Sequence, residues 1–298
     1  MTETTRCGLV AIVGRPNVGK STLMNHLVGQ KVSITSRKPQ TTRHRIHGVL
    51  TRDNTQIVFA DTPGLHPDGK RALNRVMNQT ALSSLGGVDV VCFMVDSTKW
   101  TDTDAWILSR LPREGTPVLL LINKVDTLDD KEALLPHIDR LYKEFPFSEV
   151  IPLSGLRGHN MDALETELAR RLPEGPFWFE EDQLTDRSLR FMAAEIIREK
   201  AVRQLGQELP HQLTVEVDLW NETDRITEIA ATILVEREGQ KRILVGSGGQ
   251  RIKQIGTQAR GDIQRLLDSK VMLNLWVKVR SGWSDDERAL RSLGYDES

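Results

Sequence analysis

Gly14-Arg15-Pro16-Asn17-Val18-Gly19-Lys20-Ser21 is a G-x-x-x-x-G-K-S loop, and its setting decides the fold of the region around it. It follows the apolar run Leu9-Val10-Ala11-Ile12-Val13 and leads, through Ser21 and Thr22, into residues 21–28, where apolar side chains recur at helical spacing. A buried strand, a glycine loop and a helix in that order make a cradle for nucleotide phosphates. The glycines let backbone N–H groups turn inward, Lys20 reaches the β and γ groups, and the Ser21 hydroxyl can ligate magnesium. An ordinary turn lacks this context.

The loop accepts either purine, so the base must be read elsewhere. Asn123-Lys124-Val125-Asp126 follows the apolar run at residues 118–122, which puts it at the carboxyl end of a strand, where open α/β sheets bind ligands. The Asp126 carboxylate can accept two parallel hydrogen bonds from guanine N1 and N2, a donor pair that adenine lacks. Asn123 can bond the base or tie this turn to the phosphate loop, and the Lys124 stem can cover the base face. Asp61-Thr62-Pro63-Gly64 follows a further apolar run at residues 56–60. Asp61 suits magnesium, through water, and the Gly64 N–H suits the γ-phosphate, so the segment orders with the triphosphate and relaxes after hydrolysis. In Gln40-Thr41-Thr42-Arg43-His44 one threonine can ligate magnesium and sense the γ-phosphate, with Thr42 preferred over Thr41. Ser154-Gly155 offers a backbone N–H for guanine O6.

With these motifs in order within the first 160 residues, the chain resembles the translation-factor-like GTPases of the Ras-like superfamily. The resemblance implies an α/β P-loop GTPase domain with a mixed, mostly parallel sheet, converting GTP to GDP with Mg. Two positions depart from the pattern. Gly155 stands where alanine is usual and keeps the same N–H. Leu65 stands where Ras-like enzymes have the glutamine that orients the attacking water, and leucine cannot hydrogen-bond a water. Catalysis then rests on Lys20, Thr42, Gly64 and a further group. Similar GTPases with Asn at the place of Asn17, and a hydrophobic residue after the glycine of the third motif, use potassium (K) where others use an arginine finger. The alternative is an Asn17 that only stabilises the loop. Arg15 is near enough in sequence to act as an internal finger, although an arginine there more often faces solvent or a partner.

A chain of 298 residues has room for about two domains. Cys7 and Cys92 have no metal-ligand spacing, which fits a reduced cytoplasmic protein. The N-terminus lacks the apolar core of a signal peptide, and no run is long enough to span a membrane, so any contact with the inner face of the cell membrane is expected to be peripheral. A boundary is expected near Leu172-Pro173-Glu174-Gly175-Pro176, which gives a first domain at 1–173, an acidic linker at 174–187 and a second domain at 188–298.

The second domain reads as a helix at 188–205 with apolar residues from Leu189 to Leu205, then strands at 213–220, 228–236 and 271–279. Between the last two strands lies Gly246-Ser247-Gly248-Gly249, a G-x-x-G turn between helical segments, with Arg251 and Lys253 beside it. Such a turn lets backbone approach nucleic-acid phosphates closely. The net charge of −1 hides an asymmetry: residues 239–280 carry nine Lys and Arg against two Asp, or +7, leaving −8 for the remainder. The order strand, strand, G-x-x-G, helix, strand resembles a KH domain, a smaller α+β unit. With the GTPase motifs and the tail Trp276-Val277-Lys278-Val279-Arg280-Ser281-Gly282-Trp283, nearly the whole chain is similar to the Era family of bacterial GTPases.

That resemblance implies a GTP-controlled, monomeric factor that binds the 3′ end of small-subunit ribosomal RNA, not DNA, and assists maturation of the small ribosomal subunit. Gly246, Ser247, Gly248, Gly249, Arg251 and Lys253 are then the backbone contacts to RNA. Trp276 and Trp283 could each stack a base or belong to the core. Two function classes stay open, a GTP-hydrolysing switch and an inert GTP-bound RNA adaptor suggested by Leu65. The complete set of Ser21, Thr42 and Asp61 favours the first.

Overall fold

The structure, a computed structural model, describes residues 4–36, 38, 41–65, 71–130, 134–204 and 213–295. It divides into two compact units, one of Met1–Ser33, Thr42–Gly69 and Met77–Asp186, the other of Ile34–Thr41, Lys70–Val76 and Arg187–Ser298.

In the first unit, β1 (Arg6–Val13), β2 (Ile46–Arg52), β3 (Thr55–Asp61), β4 (Val90–Asp96), β5 (Val118–Asn123) and β6 (Glu149–Pro152) form one sheet in the order β2-β3-β1-β4-β5-β6. Every neighbouring pair is parallel except β2 with β3, so the sheet is mixed and mostly parallel. β4 and β5 are buried at every residue, as strands covered on both faces must be. Helices α1 (Lys20–Val28), α2 (Ala72–Ser83), α3 (Asp102–Leu108) and α4 (Leu135–Glu144) lie between strands in sequence, and α5 (Met161–Ala169) follows β6. Val13, Phe93, Leu120, Leu141 and Phe145 belong to one apolar core. The parallel register brings the carboxyl ends of β1, β3, β4 and β5 to one edge, beside the point where the chain passes from β3 on one side of β1 to β4 on the other.

The apolar runs read from the sequence at 9–13, 56–60 and 118–122 lie inside β1, β3 and β5, whereas β2 was not anticipated. It is an edge strand joined to β3 by Asp53-Asn54, with Asp53 left-handed at φ 49°, and that pair of turn-forming residues was the available signal. Residues 174–187, expected as a linker, run along the first unit. The Gln56 carboxamide oxygen accepts the Trp178 and Phe179 N–H groups at 2.9 and 3.0 Å, and Val49 N–H donates to Leu184 O at 2.9 Å. An open sheet edge has backbone groups to satisfy, and this segment satisfies some of them. Cys7 and Cys92 are buried free thiols, and burial pushes Cys92 up to about 12.

The second unit comprises α6 (Leu189–Gln204), β7 (Leu213–Glu222), β8 (Thr227–Val235), α7 (Glu238–Val245), α8 (Gln250–Leu267), β9 (Val271–Val279) and α9 (Glu287–Ser292). Its sheet runs β7-β8-β9, antiparallel then parallel. Ile196, Ile197, Ile229, Ile233, Leu244, Ile255 and Ile263 form its core. Leu205, placed at the end of the first helix of this domain from the sequence, lies outside the described residues, and Leu189 is exposed because it opens α6 rather than packing on its inner face. α6 also buries charge. Arg198 donates to both Glu195 carboxylate oxygens at 2.7 and 2.6 Å, and Glu199 accepts the Thr35 N–H at 3.0 Å.

Of the two tail tryptophans, Trp283 is core. It is 1% exposed and stacks on Tyr295 with centroids 6.1 Å apart. Trp283→Ala should therefore lower stability in urea by about 3–5 kcal/mol; a loss below about 1 kcal/mol, within the range of surface changes, would contradict this placement.

Candidate functional site

The strand ends of the first unit converge on the glycine loop between β1 and α1. Gly19 is left-handed at φ 109°, and a Cβ there would stand 2.3 Å from Asn123 Nδ2, so only glycine fits. Lys20 is buried, and its ammonium donates to Gly14 O at 3.0 Å and Arg15 O at 3.1 Å. Burial lowers its pKa to about 8, offset in part by the Asp61 carboxylate. A bound anion would relieve that penalty.

Beside Lys20, four oxygen-bearing side chains meet. Ser21 Oγ donates to Asp61 Oδ2 at 2.7 Å and lies 2.8 Å from Thr42 Oγ1. Ser33 Oγ also donates to Asp61 Oδ2, at 2.8 Å. Thr41, by contrast, donates its hydroxyl to Lys38 O at 2.6 Å, so of the two threonines Thr42 stands with Ser21. Asp61 is fully buried, which raises its pKa against the pull of hydrogen bonds from Ser21, and its Oδ1 has no hydrogen-bond partner among the described residues. Two hydroxyls and a carboxylate with an unused oxygen form a donor set suited to a hard divalent cation such as magnesium.

The remaining sequence candidates fall into different roles. Thr62 donates its hydroxyl to Ile12 O at 2.9 Å, inside the sheet. Pro63 is buried, and Gly64 packs on Pro16 so closely that a Cβ would stand 2.8 Å away. The Leu65 side chain lies wholly in the core with Val13 and Phe93, while its N–H donates to Gly14 O at 3.3 Å. Arg15 is committed to α3: its Nε donates to Asp104 Oδ2 at 3.0 Å and its Nη2 to Lys99 O at 3.1 Å. The same Asp104 oxygen accepts the Thr101 N–H in the capping box of that helix. Asn17 is exposed and left-handed at φ 66°. Val18 is buried, and Thr22 lies on the second position after Lys20 in α1.

At the end of β5, Asn123 Nδ2 donates to Val18 O at 2.7 Å, and Asn123 Oδ1 accepts the Gly155 N–H at 3.0 Å. Asn123 thus ties its turn to the phosphate loop, and the N–H of Gly155 is engaged by Asn123 itself. Lys124 is left-handed at φ 68°, with its ammonium 2.6 Å from Asp96 Oδ2. Burial works to raise Asp96, but hydrogen bonds from Lys124 and Thr98 outweigh it and hold the carboxyl below its usual range. Val125 is buried, Asp126 is exposed in the turn that follows, and Ser154 is buried with its N–H bonded to His159 O.

In the second unit, α7 ends at Gly246, and Gly248 and Gly249 are left-handed at φ 54° and 77°, with nothing within 4 Å of where their Cβ atoms would be. α8 then starts at Gln250, so its first N–H groups adjoin the loop. Arg251 Nη1 donates to Ile243 O at 2.5 Å, and Ser247 and Lys253 are exposed. A groove of about 350 Å³ continues from the loop, lined by Ile252, Lys253, Gly256, Thr257 and Arg260 of α8 and by Leu273, Asn274 and Leu275 of β9. Sequence reasoning found only Lys253 of this lining. The signal was present in the recurrence of 252, 253, 256, 257 and 260 on one helical stripe next to the glycine loop.

Comparison with known proteins places both units. Residues 9–124 match the family described as 50S ribosome-binding GTPase, and residues 208–284 match the KH domain family. The chain is 56% identical over 296 residues to GTPase Era of Pseudomonas fluorescens (strain Pf0-1), covering 99% of each chain. It is 59% identical over 292 residues to GTPase Era of Pseudomonas aeruginosa (strain LESB58), covering 98% of this chain and 96% of the relative. Among solved structures it is similar to Era in complex with MgGDPNP and nucleotides 1506-1542 of 16S ribosomal RNA, at 41% identity and TM-score 0.94, over 98% of this chain and 99% of that one. An Aquifex aeolicus Era variant bound to GDP·AlF4− matches with the same identity, coverage and TM-score.

Asp126→Asn tests the base site. An amide offers one acceptor and one donor where guanine needs two acceptors, so GTP affinity should fall about 10- to 100-fold, while xanthosine triphosphate, with a carbonyl at position 2, should gain. Equal GTP affinity in competition binding would remove Asp126 from the site.

Proposed function

The chain belongs to the GTPase Era family and hydrolyses GTP, and on that premise we propose that it couples this reaction to binding of the 3′ end of small-subunit ribosomal RNA in maturation of the small ribosomal subunit. The observation that carries the proposal is the presence in one chain of the convergent Ser21, Thr42 and Asp61 oxygens and of a glycine loop that opens a basic groove.

In the proposed mechanism Ser21 and Thr42 would hold magnesium directly and Asp61 through water, and the ion when bound would supply positive charge against the phosphates. Lys20 carries the matching positive charge, and the Gly64 N–H binds the γ-phosphate. Since Thr42 and Gly64 both meet that phosphate, their segments order with GTP and relax with GDP. Asp126 and Lys124 take the guanine, with Asn123 as their brace.

The attacking water lacks a glutamine, because Leu65 is a core residue. Arg15 could act as an internal finger only by giving up its bonds to Asp104 and Lys99. We therefore assign the missing transition-state charge to potassium held by Asn17, which is exposed on the loop itself. In multiple-turnover assays at equal ionic strength, hydrolysis should be about tenfold or more faster in potassium than in sodium, in line with the worth of one preorganised charge contact, and Asn17→Ala should erase the difference. Equal rates in both salts, with and without a 3′-terminal ribosomal RNA fragment, would reduce Asn17 to a loop residue.

In the second unit we assign phosphate contacts to the N–H groups of Gly246, Ser247, Gly248 and Gly249 and to Arg251 and Lys253, and bases to the groove, which suits a single strand of about four nucleotides. The protein acts as a monomer in the cytoplasm, with membrane contact limited to the periphery. Arg251→Ala with Lys253→Ala should weaken binding of the RNA fragment and reduce its log–log salt slope by about 0.7 for each phosphate that no longer has a cation beside it, with GTP affinity unchanged. Retention of both affinity and slope would mean that the loop is only a turn.

A further inference from the structure

β9 is the edge strand of the second unit's sheet, since among the described residues only β8 pairs with it. Its residues alternate. Val271 and Val277 are buried and Leu273 and Leu275 half-buried, whereas Met272, Asn274, Trp276 and Lys278 are exposed on the opposite face. Trp276 is 49% exposed, an area that a large aromatic ring gives up to water only at a cost.

The groove beside α8 is lined by residues 273–275 of the same strand, so a chain leaving that groove over the sheet edge meets Trp276 next. The charges of this face are divided. Along the β9 edge, Trp276 is followed by exposed Lys278 and Arg280, with no acid between residues 271 and 280. Across the face, the columns of β8 and β7 carry Glu228, opposite Met272, and Glu216 and Asp218 beside Thr232, which is itself opposite Trp276. A polyanion is therefore steered along β9 and turned away from the rest of the face.

We propose that Trp276 is a stacking platform for a base of single-stranded RNA lying outside the four-nucleotide groove, with Lys278 and Arg280 on the adjoining phosphates. A π face with flanking cations is how proteins hold single strands without reading their sequence. The strand thus wraps the β9 edge, and the bound length exceeds what the groove alone can hold. This rests on the assignment of the groove to RNA above.

The test uses the full chain with tetranucleotides and octanucleotides tiled across the 3′-terminal segment of small-subunit ribosomal RNA, titrated against wild type, Trp276→Ala, Trp276→Phe and the Arg251→Ala/Lys253→Ala variant. Trp276→Ala should bind the best octanucleotide about tenfold more weakly, bind the best tetranucleotide as wild type does, and melt at the wild-type temperature. Trp276→Phe should restore most of the octanucleotide affinity. An unchanged octanucleotide affinity in Trp276→Ala, including the case where this face serves a protein instead, overturns the platform, and so does an equal loss for both lengths. Wild-type binding of every oligonucleotide by the Arg251→Ala/Lys253→Ala variant overturns the groove assignment instead.

Discussion

The side chain of Asn123 is the tie on which the nucleotide site depends. Standing at the end of β5 and 3% exposed, it gives its amide to Val18 O of the loop after β1 and takes the Gly155 N–H of the loop after β6. Three strand ends are locked by one short group that is both donor and acceptor, a combination that neither aspartate nor leucine can supply. Both polar atoms are satisfied in a buried place, so losing either partner leaves an unpaired group at a cost of about 1–3 kcal/mol. The close approach also explains Gly19, where any Cβ would collide with this amide. The parallel register of β4 with β5 pairs Asp96 with Asn123, and that places Asp96 to hold the Lys124 ammonium.

Around this tie the electrostatics are arranged for a ligand that carries both signs of charge. Lys20 has its pKa lowered to about 8 by burial, and Asp61 has its pKa raised by burial while one of its oxygens stays unpaired. A phosphate relieves the first penalty and a divalent cation the second, so a magnesium triphosphate satisfies both where either component alone would leave one in place. Arg15 has been removed from this arrangement by the capping box of α3, whose Asp104 serves the helix N-terminus and the guanidinium with the same oxygen. Lys20 is then the cation that the loop itself directs to this place.

The second unit solves a different problem, close approach to a flexible polyanion. Its glycine loop presents backbone donors in left-handed conformations with open space around them, and α8 adds the positive end of its dipole. The groove that follows pairs an aliphatic floor with Lys253 and Arg260 at its rim. α6 buries charge as well, with Arg198 Nε and Nη2 donating to the two Glu195 carboxylate oxygens; such pairs are costly to break.

Much of this was legible in the chain before any coordinates. Strand-length apolar runs leading to Gly14, Asp61 and Asn123 identified strands that bear the site, because a strand covered on both faces is mostly apolar along its length and turns polar where it reaches the end of the sheet. The glycine loop with its cluster of basic residues pointed to the second site, since left-handed backbone and positive charge are both written in residue type. The edge strand β2 was missed because His47, Gly48, Thr51 and Arg52 interrupt its apolar residues, so no continuous run marks it. The packing of 174–187 along the first unit was missed because backbone hydrogen bonding leaves no trace in side-chain pattern. Sequence determined the motifs, their order and the charge asymmetry, which depend on residue identity and spacing along one chain. Tertiary structure alone decided that Thr42 rather than Thr41 joins Ser21, that Arg15 is bound to Asp104, that Leu65 and Trp283 are core while Trp276 is exposed, and that α8 and β9 enclose a groove. Each of these depends on which residues, distant in sequence, come within hydrogen-bond or van der Waals reach, and no local pattern specifies that distance.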